Sequence, residues 1–515
     1  MQSESLKGNS KLSRSELVIL IMSAAVTITF VSASSPLYPF NPWDDANCFF
    51  TLGRGIIHGY VPYRDLYEQK GPLLYFIYAF AALISEKSFI GVWLVECAAA
   101  SVFAIFSWKT TKLFTEPSRF SIALVPLFLG ITYTLKLFNF GGNAEELCFP
   151  LLTIAFYFGL KAIVNKNVLP SKTEGLICGI ITGILFWIKY TFVGFMAGFC
   201  IYFLVISVKQ KDFKRLWTLI WRFILGFIIV SLPVLCYFLA NSSIEFLWEA
   251  YFYNNISYYH TGFKATGLAG VPVIKHIYIP IICFITLFRE YPSCGGLLVS
   301  SLASFAFIGK EYRKKSVILF AVTFALSAGM VYTRSVTIYY YGYLMAYCFC
   351  LILIPAVKGM NAIVKIFKHN EAFIKILLYI CLTVTYALSL INCKNMYLIF
   401  QPKEFLSQYR MAKIINQTQD AKILTYDVMD AGFYTAAGIL PSNRFFCYLN
   451  IEKTYPAIRE EQDRLIEEGY YDYIITSFFC EKEFENYELI EEDTHPFVDF
   501  TGEMIKDGFR LYKRI

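Results

Sequence analysis

Residues 16–45 read ELVILIMSAAVTITFVSASSPLYPFNPWDD, an apolar run that is closely followed by two adjacent carboxylates. The run 16–35 is long enough to cross a hydrocarbon core of about 30 Å as a helix. Basic residues precede it, so the N-terminus is predicted to be cytoplasmic and residue 36 onward to lie outside. Ionisable side chains that stand where a chain has just left the bilayer indicate a functional site. Here these side chains are Asp44 and Asp45.

The composition assigns the chain to the membrane proteins. Of its 515 residues, 57% are hydrophobic and only 17% are charged, and the mean hydropathy is +0.50. This excludes an ordinary soluble enzyme. The apolar runs are continuous and do not alternate with a period of two residues, which favours helices over a β-barrel. We therefore predict an all-α polytopic membrane protein with 11–13 transmembrane helices.

The predicted spans place the basic loops inside. After the first span they cover residues 89–108, 119–136, 147–164, 174–188, 190–208, 217–240, 272–289, 293–308, 317–333, 336–357 and 373–393. The segment 272–308 reads as two spans where the parity of the chain requires one. Residues 44–58 carry an apolar stripe at helical spacing and are predicted to form an interfacial helix. The short run 71–85 is predicted to be re-entrant or to lie on the surface.

The C-terminal tail has a different composition. Residues 401–515 contain 13 Lys or Arg against 21 Asp or Glu, although the whole chain has a net charge of +7. Strands are predicted at 422–426, 444–449, 473–476 and 509–512, with a helix over 453–468. The expected domains are a transmembrane part, 1–399, with a first extracytoplasmic loop at 36–88, and a small soluble extracytoplasmic α/β domain, 400–515. Nucleic acid is excluded as a partner because the basic residues are scattered over short loops.

Asp45 and Lys70 are the first candidates for chemistry. Asp45 at the start of a surface helix is suited to act as a general base for a hydroxyl, with Asp44 beside it; a helix N-cap explains the same position equally well. Lys70, with Arg64 nearby, offers cations at the depth of lipid headgroups, where phosphate is the natural ligand. A lysine that snorkels from a helix end is the alternative.

A second group of ionisable residues falls on the same predicted side of the membrane. It contains an acidic cluster formed by Asn143, Glu145 and Glu146, and the cations Lys189 and Arg334. The two glutamates either face the Asp44 and Asp45 site or simply complement the dipole of their helix. Four separate loops thus place charges at one surface, although loops are also where charges usually lie.

The cysteines and histidines show no metal-binding pattern. The 14 cysteines stand singly, mostly within apolar runs, and no CxxC motif occurs, which is typical of small buried hydrophobic residues. Cys447 and Cys480 are candidates for pairing if the tail is extracytoplasmic. We predict no cofactor and no bound metal, and leave a divalent cation open.

The first loop resembles that of bacterial GT-C glycosyltransferases, the group that includes protein O-mannosyltransferases and lipid A aminoarabinose transferases. The resemblance lies in the aspartate pair after the first span, in GYVPYRD at 59–65 and in EQKGPLLY at 68–75. It implies an inverting transferase of the bacterial cytoplasmic membrane whose active site faces outside. The implied donor is a sugar on a polyprenyl phosphate, and the implied acceptor is an extracytoplasmic glycan, lipid or protein.

The resemblance also implies roles for individual residues. Asp45 matches the acceptor base of the family, with Asp44 as a supporting carboxylate. Lys70 matches the lysine that contacts the carrier phosphate, although Gly71 stands where the family often has a proline, and Arg64, Lys189 and Arg334 are further candidates for the donor phosphate. The family's second acidic position falls on Glu145 or Glu146, with Asn143 beside them, but no Ser-Pro-Asp is present.

Two other function classes fit a polytopic chain. A polysaccharide polymerase or ligase would be expected to concentrate Arg and His in late loops. A lipid-linked glycan flippase or transporter would be expected to show paired half-repeats and charges at mid-membrane depth. No half-repeat is visible in the sequence, although Glu96 does lie within an apolar run.

Overall fold

The structure is a computed structural model that describes residues 11–138, 140–165, 169–258, 271–332, 339–366, 371–498 and 504–515. Within these ranges the chain is mainly helical and ends in a small sheet, and the predicted fold class is confirmed. The predicted site residue Arg334 and residues 259–270 of the long loop after the span at 217–240 lie outside the described residues.

The N-terminal part contains four helices, two of which belong to the first loop. They are α1 (Arg14–Val31), α2 (Asp44–Ile57), α3 (Pro72–Ile84) and α4 (Ile90–Phe114). A capping box between Ser13 and Glu16 begins α1, because each of these side chains satisfies an otherwise unpaired backbone N–H of the other. Pro72 begins α3 at its first turn, where its missing N–H costs nothing.

Helix α2 is buried more completely than an interfacial helix would be. Its residues from Asp45 to Gly55 are all buried, including polar side chains such as Asn47 and Thr51. Helix α3 packs against it, and the C-terminal domain contacts it through several hydrogen bonds. The predicted helix is therefore present, but protein covers it where the sequence predicted contact with the membrane surface.

The central part contains a helical hairpin next to the first loop. Its elements are α5 (Leu124–Tyr133), α6 (Ala144–Val164), α7 (Lys172–Lys189), α8 (Val193–Gln210) and α9 (Phe213–Ala240). The chain turns through a 3₁₀ segment, Tyr190–Phe192, between α7 and α8. Arg215 near the start of α9 donates to the carbonyl of Leu169, which precedes α7, at 2.8 Å. Helix α8 therefore returns to the side on which α7 began.

Close backbone contact fixes α7 against α9. A Cβ on Gly179 would lie 2.0 Å from the carbonyl oxygen of Phe223, so only glycine permits this approach. A glycine at such a position lets two membrane helices pack backbone to backbone. The end of α7, which carries Lys189, is thereby held in a fixed place.

The second half of the membrane part is more irregular. Its elements are α10 (Ile244–Leu247), a π-helical segment (Trp248–Asn254), α11 (Asn255–Ser257), α12 (Pro272–Glu290), α13 (Pro292–Ser304), α14 (Lys310–Val331), a 3₁₀ segment (Tyr339–Ile352), α15 (Leu353–Ile366) and α16 (Glu371–Ile391). The helices on either side of Tyr291 meet at an angle of 110°. This bend is a physical reason for the parity conflict, because a broken span or a re-entrant loop need not add two crossings.

By length and composition, seven helical stretches of the described residues can cross a membrane, or up to eight if the bent pair is one span. This count treats Lys172–Gln210 as one stretch, although it contains the hairpin of α7 and α8. Two predicted spans correspond to shorter apolar helical stretches, Ser121–Tyr133 and the part of α16 from Lys375 to Ile391. These features account for much of the difference from the predicted 11–13 spans. The chain is a multi-pass membrane protein.

The C-terminal domain contains a four-stranded mixed sheet. Its strands are β1 (Ile423–Thr425), β2 (Tyr473–Ser477), β3 (Tyr487–Val498) and β4 (Met504–Arg514), and its helices are α17 (Ser407–Ile415), α18 (Phe433–Ala437) and α19 (Ala457–Glu467). The strand order is β1-β2-β4-β3, with β1 and β2 parallel and the other pairs antiparallel.

One strand predicted in this domain is wrong and another was missed. Residues 444–449 form no strand, because they cross the interface with the first loop, where Arg444 serves as an anchor. Strand β3 has four acidic residues within Glu488–Asp493, which obscured its pattern. Pairing along β4 stabilises it over its whole length.

Buried polar contacts join the C-terminal domain to the first loop. Asp430 accepts a hydrogen bond from Thr51 of α2, and Arg54 of α2 donates to the carbonyl of Tyr434 at 3.0 Å. Burial raises the pKa of Asp430 to about 6, a rise that the hydrogen bond from Thr51 and the charge of Arg54 limit. Arg444 donates to the carbonyl of Tyr63 at 2.8 Å. The domain is therefore seated directly on the helix that carries Asp45.

Candidate active site

A cavity of about 350 Å³ lies where the first loop, the membrane helices and the C-terminal domain meet. The first loop lines it with Asp45, Glu68, Gln69 and Lys70, the membrane part with residues that include Lys189, Tyr251, Asn255, Tyr340 and Tyr341, and the C-terminal domain with Met429, Leu449 and Asn450. Three candidates from separate loops, Asp45, Lys70 and Lys189, thus share one space.

Asp45 points into this cavity from the first turn of α2. The residue at the N-cap position is Trp43, which makes no side-chain cap hydrogen bond, so Asp45 is not an N-cap. The hydroxyl of Tyr340 donates to Oδ2 of Asp45 at 3.3 Å. Asp44 lies in the same turn but does not line the cavity. The arrangement leaves Asp45 placed to accept a proton from a group bound in the cavity.

Lys70 lies opposite in the same cavity and is surrounded by negative charge. Its Nζ is 3.7 Å from Oε1 of Glu68 and 5.4 Å from the ring centre of Phe49. Burial by itself would lower the pKa of Lys70, but the charges of Asp45, Glu68 and Glu145 outweigh that effect and hold this pKa well above its usual value. Lys70 is therefore a permanent cation, as a phosphate-binding group needs to be.

The contacts of Gly71 explain why a glycine stands where the family often has a proline. Its N–H donates to the carbonyl of Ile188 at 2.9 Å, and a Cβ at this position would lie 2.0 Å from the carbonyl oxygen of Trp187. Proline would lose this hydrogen bond and would also collide with the end of α7. The loop that carries Lys70 and the helix that carries Lys189 are thus in direct backbone contact.

We expect Gly71→Ala to destabilise the protein, because the neighbour that must move is backbone. Overpacking of this kind costs about 1–3 kcal/mol. The thermal unfolding midpoint of the purified protein in detergent should fall. Gly359→Ala is the matched control, since a Cβ there meets nothing within 4 Å. Equal midpoints for the two variants would contradict the close approach.

Lys189 is already paired within the site. It forms a salt bridge with Glu145, and its Nζ lies 3.8 Å from the ring centre of Tyr341. Glu145 is in the first turn of α6, where the helix dipole also favours a negative charge. This pairing leaves Lys70 as the better candidate to meet an incoming anion.

Glu146 and Asn143 lie away from the cavity. The N–H of Gly142 donates both to Oε2 of Glu146, at 3.0 Å, and to Oε1 of Glu96, at 2.7 Å. Glu96 also accepts hydrogen bonds from Ser32. Asn143 caps α6 by accepting from the N–H of Glu146 at 2.7 Å. The structure therefore places Glu145 at the site and gives Glu146, Asn143 and Glu96 a place in a buried network behind it.

Arg64 also lies outside the cavity lining. Its guanidinium forms two hydrogen bonds with the carboxylate of Asp65, at 2.9 and 2.8 Å, and donates to the carbonyl of Asn241 at 3.2 Å. These contacts anchor the turn before Glu68 to the end of α9. The structure does not bring Arg64 together with Lys70.

Several lining residues were not singled out from the sequence. Glu68 accepts from the N–H of Lys70 at 2.7 Å and from the hydroxyl of Tyr75. Asn255 donates to the carbonyl of Gln69 at 2.8 Å, just after a π-helical segment. Such segments often occur at functional sites. The EQKG motif already contained Glu68 and Gln69, whereas nothing local in the sequence pointed to the lining residues Met429, Leu449 and Asn450.

A second, wholly apolar groove adjoins the cavity. It has a volume of about 470 Å³ and lies between α3, α4, α6 and α7, where Leu73, Phe76, Val95, Ala99, Leu147 and Ile184 are among its lining residues. Ile188 lines both the groove and the cavity. A molecule with a charged head and a long apolar tail fits such a pair of spaces.

No group of three or more His, Cys, Asp or Glu in the described part of the chain is arranged to hold a metal ion. The carboxylates that line the cavity are Asp45 and Glu68.

Comparison with known proteins now supports the resemblance. Residues 69–237 match the model of the family described as dolichyl-phosphate-mannose-protein mannosyltransferase. The matched segment begins at Gln69, next to Lys70, and extends through most of α9.

The structure is similar to that of ArnT from Cupriavidus metallidurans bound to undecaprenyl phosphate, with a TM-score of 0.51, 10% sequence identity and coverage of 97% of this chain and 98% of that one. The chain has the GT-C glycosyltransferase fold. The apo structure of the same ArnT gives a TM-score of 0.49 at 9% identity, covering 96% of this chain and 97% of that one. No curated protein sequence matches the chain. The predicted GT-C resemblance is confirmed.

Proposed function

We propose that this GT-C protein transfers a sugar from a polyprenyl-phosphate donor to an extracytoplasmic glycan, lipid or protein. One observation carries the proposal: a cavity lined by the charged side chains of Asp45 and Lys70 lies next to an apolar groove between membrane helices, with Ile188 as their shared wall. The family match of residues 69–237 and the likeness to a structure that holds undecaprenyl phosphate support it. We also propose that the protein lies in a bacterial cytoplasmic membrane, with its C-terminal domain outside.

The proposed chemistry is an inverting displacement. The acceptor hydroxyl attacks the anomeric carbon of the sugar, and Asp45 takes the proton of that hydroxyl as general base. The bond from the anomeric carbon to the phosphate oxygen breaks, and polyprenyl phosphate leaves with an added negative charge. Lys70 stabilises this charge in a buried site, where an aligned cation is worth more than in water.

The donor and the acceptor are assigned to different walls of the cavity. The groove next to Ile188 receives the polyprenyl chain, since its lining is entirely apolar apart from backbone. Gln69, whose backbone carbonyl accepts a hydrogen bond from Asn255, supplies an amide group for sugar hydroxyls, as such sites use a few convergent polar groups. Met429 and Asn450 of the C-terminal domain form the opposite wall, which is assigned to the acceptor.

The presence of an open cavity at Asp45 favours this function over the alternatives. A polymerase or ligase is expected to use Arg and His from late loops, and neither residue type is among the described residues that line this cavity. A flippase or transporter has no need for a base and a cation in one cavity. The transferase mechanism requires both.

Binding of undecaprenyl phosphate tests the proposal directly. In Ala99→Trp, the indole would fill the groove, and we expect the affinity of the purified protein for this lipid to fall at least about tenfold, a loss of about 1.4 kcal/mol. This affinity is measured by native mass spectrometry of the protein in lipid nanodiscs that contain increasing amounts of undecaprenyl phosphate.

Leu232→Trp is the control for this substitution, because Leu232 is 55% exposed on α9 and lies outside the groove. It should bind undecaprenyl phosphate as the unmodified protein does. If Ala99→Trp bound the lipid with unchanged affinity, the groove would not be the binding site of the polyprenyl chain. If the unmodified protein did not bind undecaprenyl phosphate, the donor would not be a polyprenyl phosphate.

A further inference from the structure

Two cysteine thiols meet at the interface between the first loop and the C-terminal domain. The Sγ atoms of Cys48 and Cys447 are 3.8 Å apart. Both residues are fully buried and carry free thiols in this structure. Cys48 belongs to α2, and Cys447 follows Phe446 in the segment that crosses the interface. In the sequence Cys480 was a candidate partner of Cys447, whereas the structure brings Cys447 to Cys48.

The Cys48–Cys447 contact lies next to residues that line the cavity. Cys48 stands three residues after Asp45 on the same helix, so both side chains project from neighbouring positions on α2. On the other side, Cys447 precedes Leu449 and Asn450, which line the cavity. A bond between the two sulfurs would fix the aspartate helix and the outer wall of the cavity relative to each other.

The remaining contacts across this interface are non-covalent. The N–H of Tyr67 in the first loop donates to the carbonyl of Arg444 at 2.9 Å, and Arg444 also forms a salt bridge with Glu249 of the membrane part at 3.0 Å. Asp430 and Arg54 add the buried polar contacts described above. Water can replace each of these hydrogen bonds when the domain separates, so each one contributes only modestly to holding the domain in place.

We propose that Cys48 and Cys447 form a disulfide that covalently joins the first loop to the C-terminal domain. The oxidant is the disulfide of an extracytoplasmic thiol–disulfide oxidoreductase. One thiolate of the pair attacks that disulfide, the second thiolate then displaces the enzyme from the mixed disulfide, and the oxidoreductase leaves with two thiols. The inference rests on the proposed placement of both segments outside the cytoplasm, where such bonds persist.

The bond is made while the domain docks. In the closed interface, burial raises the pKa of both thiols, and a protonated thiol does not take part in exchange. Oxidation therefore precedes full closure, and closure then shields the bond from reductants. Cross-linking of residues 48 and 447 closes a very long loop of chain, which is the case in which a disulfide constrains the unfolded chain most.

Proteolytic cleavage between the transmembrane part and the C-terminal domain tests whether a disulfide holds the two fragments together. A protease recognition site is inserted after Gln401, in front of the exposed segment 402–404, in the full-length protein. Cells that produce it are quenched with acid, free thiols are blocked with N-ethylmaleimide, and the purified protein is cleaved and run on a denaturing gel. We expect one band without reductant and two bands after reduction, and mass spectrometry should identify a linked peptide pair containing Cys48 and Cys447.

Two variants assign the bond. Cys447→Ser should give two bands with or without reductant, and Cys480→Ser should still give one band without reductant. Two bands from the unmodified chain without reductant, with Cys48 and Cys447 both recovered as maleimide adducts, would overturn the proposal. Since this readout needs no transferase activity, its outcome is independent of the proposed reaction.

Discussion

Asp45→Asn is expected to lower kcat for sugar transfer by about 10³-fold, within the range that a general base contributes. The amide has the same size and can still meet the hydroxyl of Tyr340, but it cannot accept the proton of the acceptor. The affinity for undecaprenyl phosphate should not fall, because Asp45 is assigned to the acceptor and loss of its negative charge removes a repulsion on the phosphate. Consumption of the sugar-charged polyprenyl-phosphate pool of membranes containing the protein, followed by mass spectrometry, measures the reaction whichever sugar the donor carries.

Asp420→Asn is the matched control, since it removes the same charge from an exposed position of the C-terminal domain with positive φ, 51°, a conformation that asparagine tolerates. This variant should consume the donor at the normal rate. Asp44→Asn separates the two members of the pair, and its effect is expected to be smaller because Asp44 does not line the cavity. Full activity of Asp45→Asn would exclude Asp45 as the base.

The sequence could predict the class of fold because hydropathy and the positive-inside rule act over long stretches. The Asp45 and Lys70 motif was likewise visible, since it follows the first span and carries charge in an apolar setting. The burial of α2 was not visible. The apolar stripe of α2 indicated that one face of the helix is buried. A second face is buried by the C-terminal domain, through Asp430 and Tyr434, which lie almost 400 residues away in the chain.

Local sequence does not predict which of the two adjacent residues, Glu145 or Glu146, faces the site. Adjacent helical residues point about 100° apart, so one of two neighbours faces the site and the other faces elsewhere. Nothing nearby in the sequence decides which. The structure decides it through partners from other elements, Lys189 for Glu145 and the network around Glu96 for Glu146.

The C-terminal domain illustrates a different limit. Segment 444–449 has the composition of a strand, yet Arg444 uses its backbone and side chain to bind Tyr63 and Tyr67 of the first loop. Tertiary contacts thus override strand propensity. The same contacts bring Leu449 and Asn450 to the cavity, which is why lining residues from this domain could not be predicted from local sequence.

Lys70→Gln is expected to weaken binding of undecaprenyl phosphate by about 10- to 100-fold, since a hydrogen bond to a charged group contributes about 1.5–3 kcal/mol. Two features make Lys70 the dominant cation among the described residues of the cavity. Lys189 forms a close salt bridge with Glu145, whereas the salt bridge of Lys70 with Glu68 is longer, at 3.7 Å, and lies beyond hydrogen-bond distance. Loss of its charge also leaves the carboxylates of Asp45 and Glu68 to repel the phosphate.

The phosphate-free lipid undecaprenol separates this role from a structural one. Lys70→Gln should bind undecaprenol as the unmodified protein does, because the apolar groove is unchanged, and should lose the preference for the phosphorylated lipid. Lys87→Gln, at an exposed position of the same loop, should keep that preference. If Lys70→Gln weakened both lipids equally, Lys70 would be a residue that shapes the loop through Phe49 and Glu68, and the donor phosphate would have to be held by another cation.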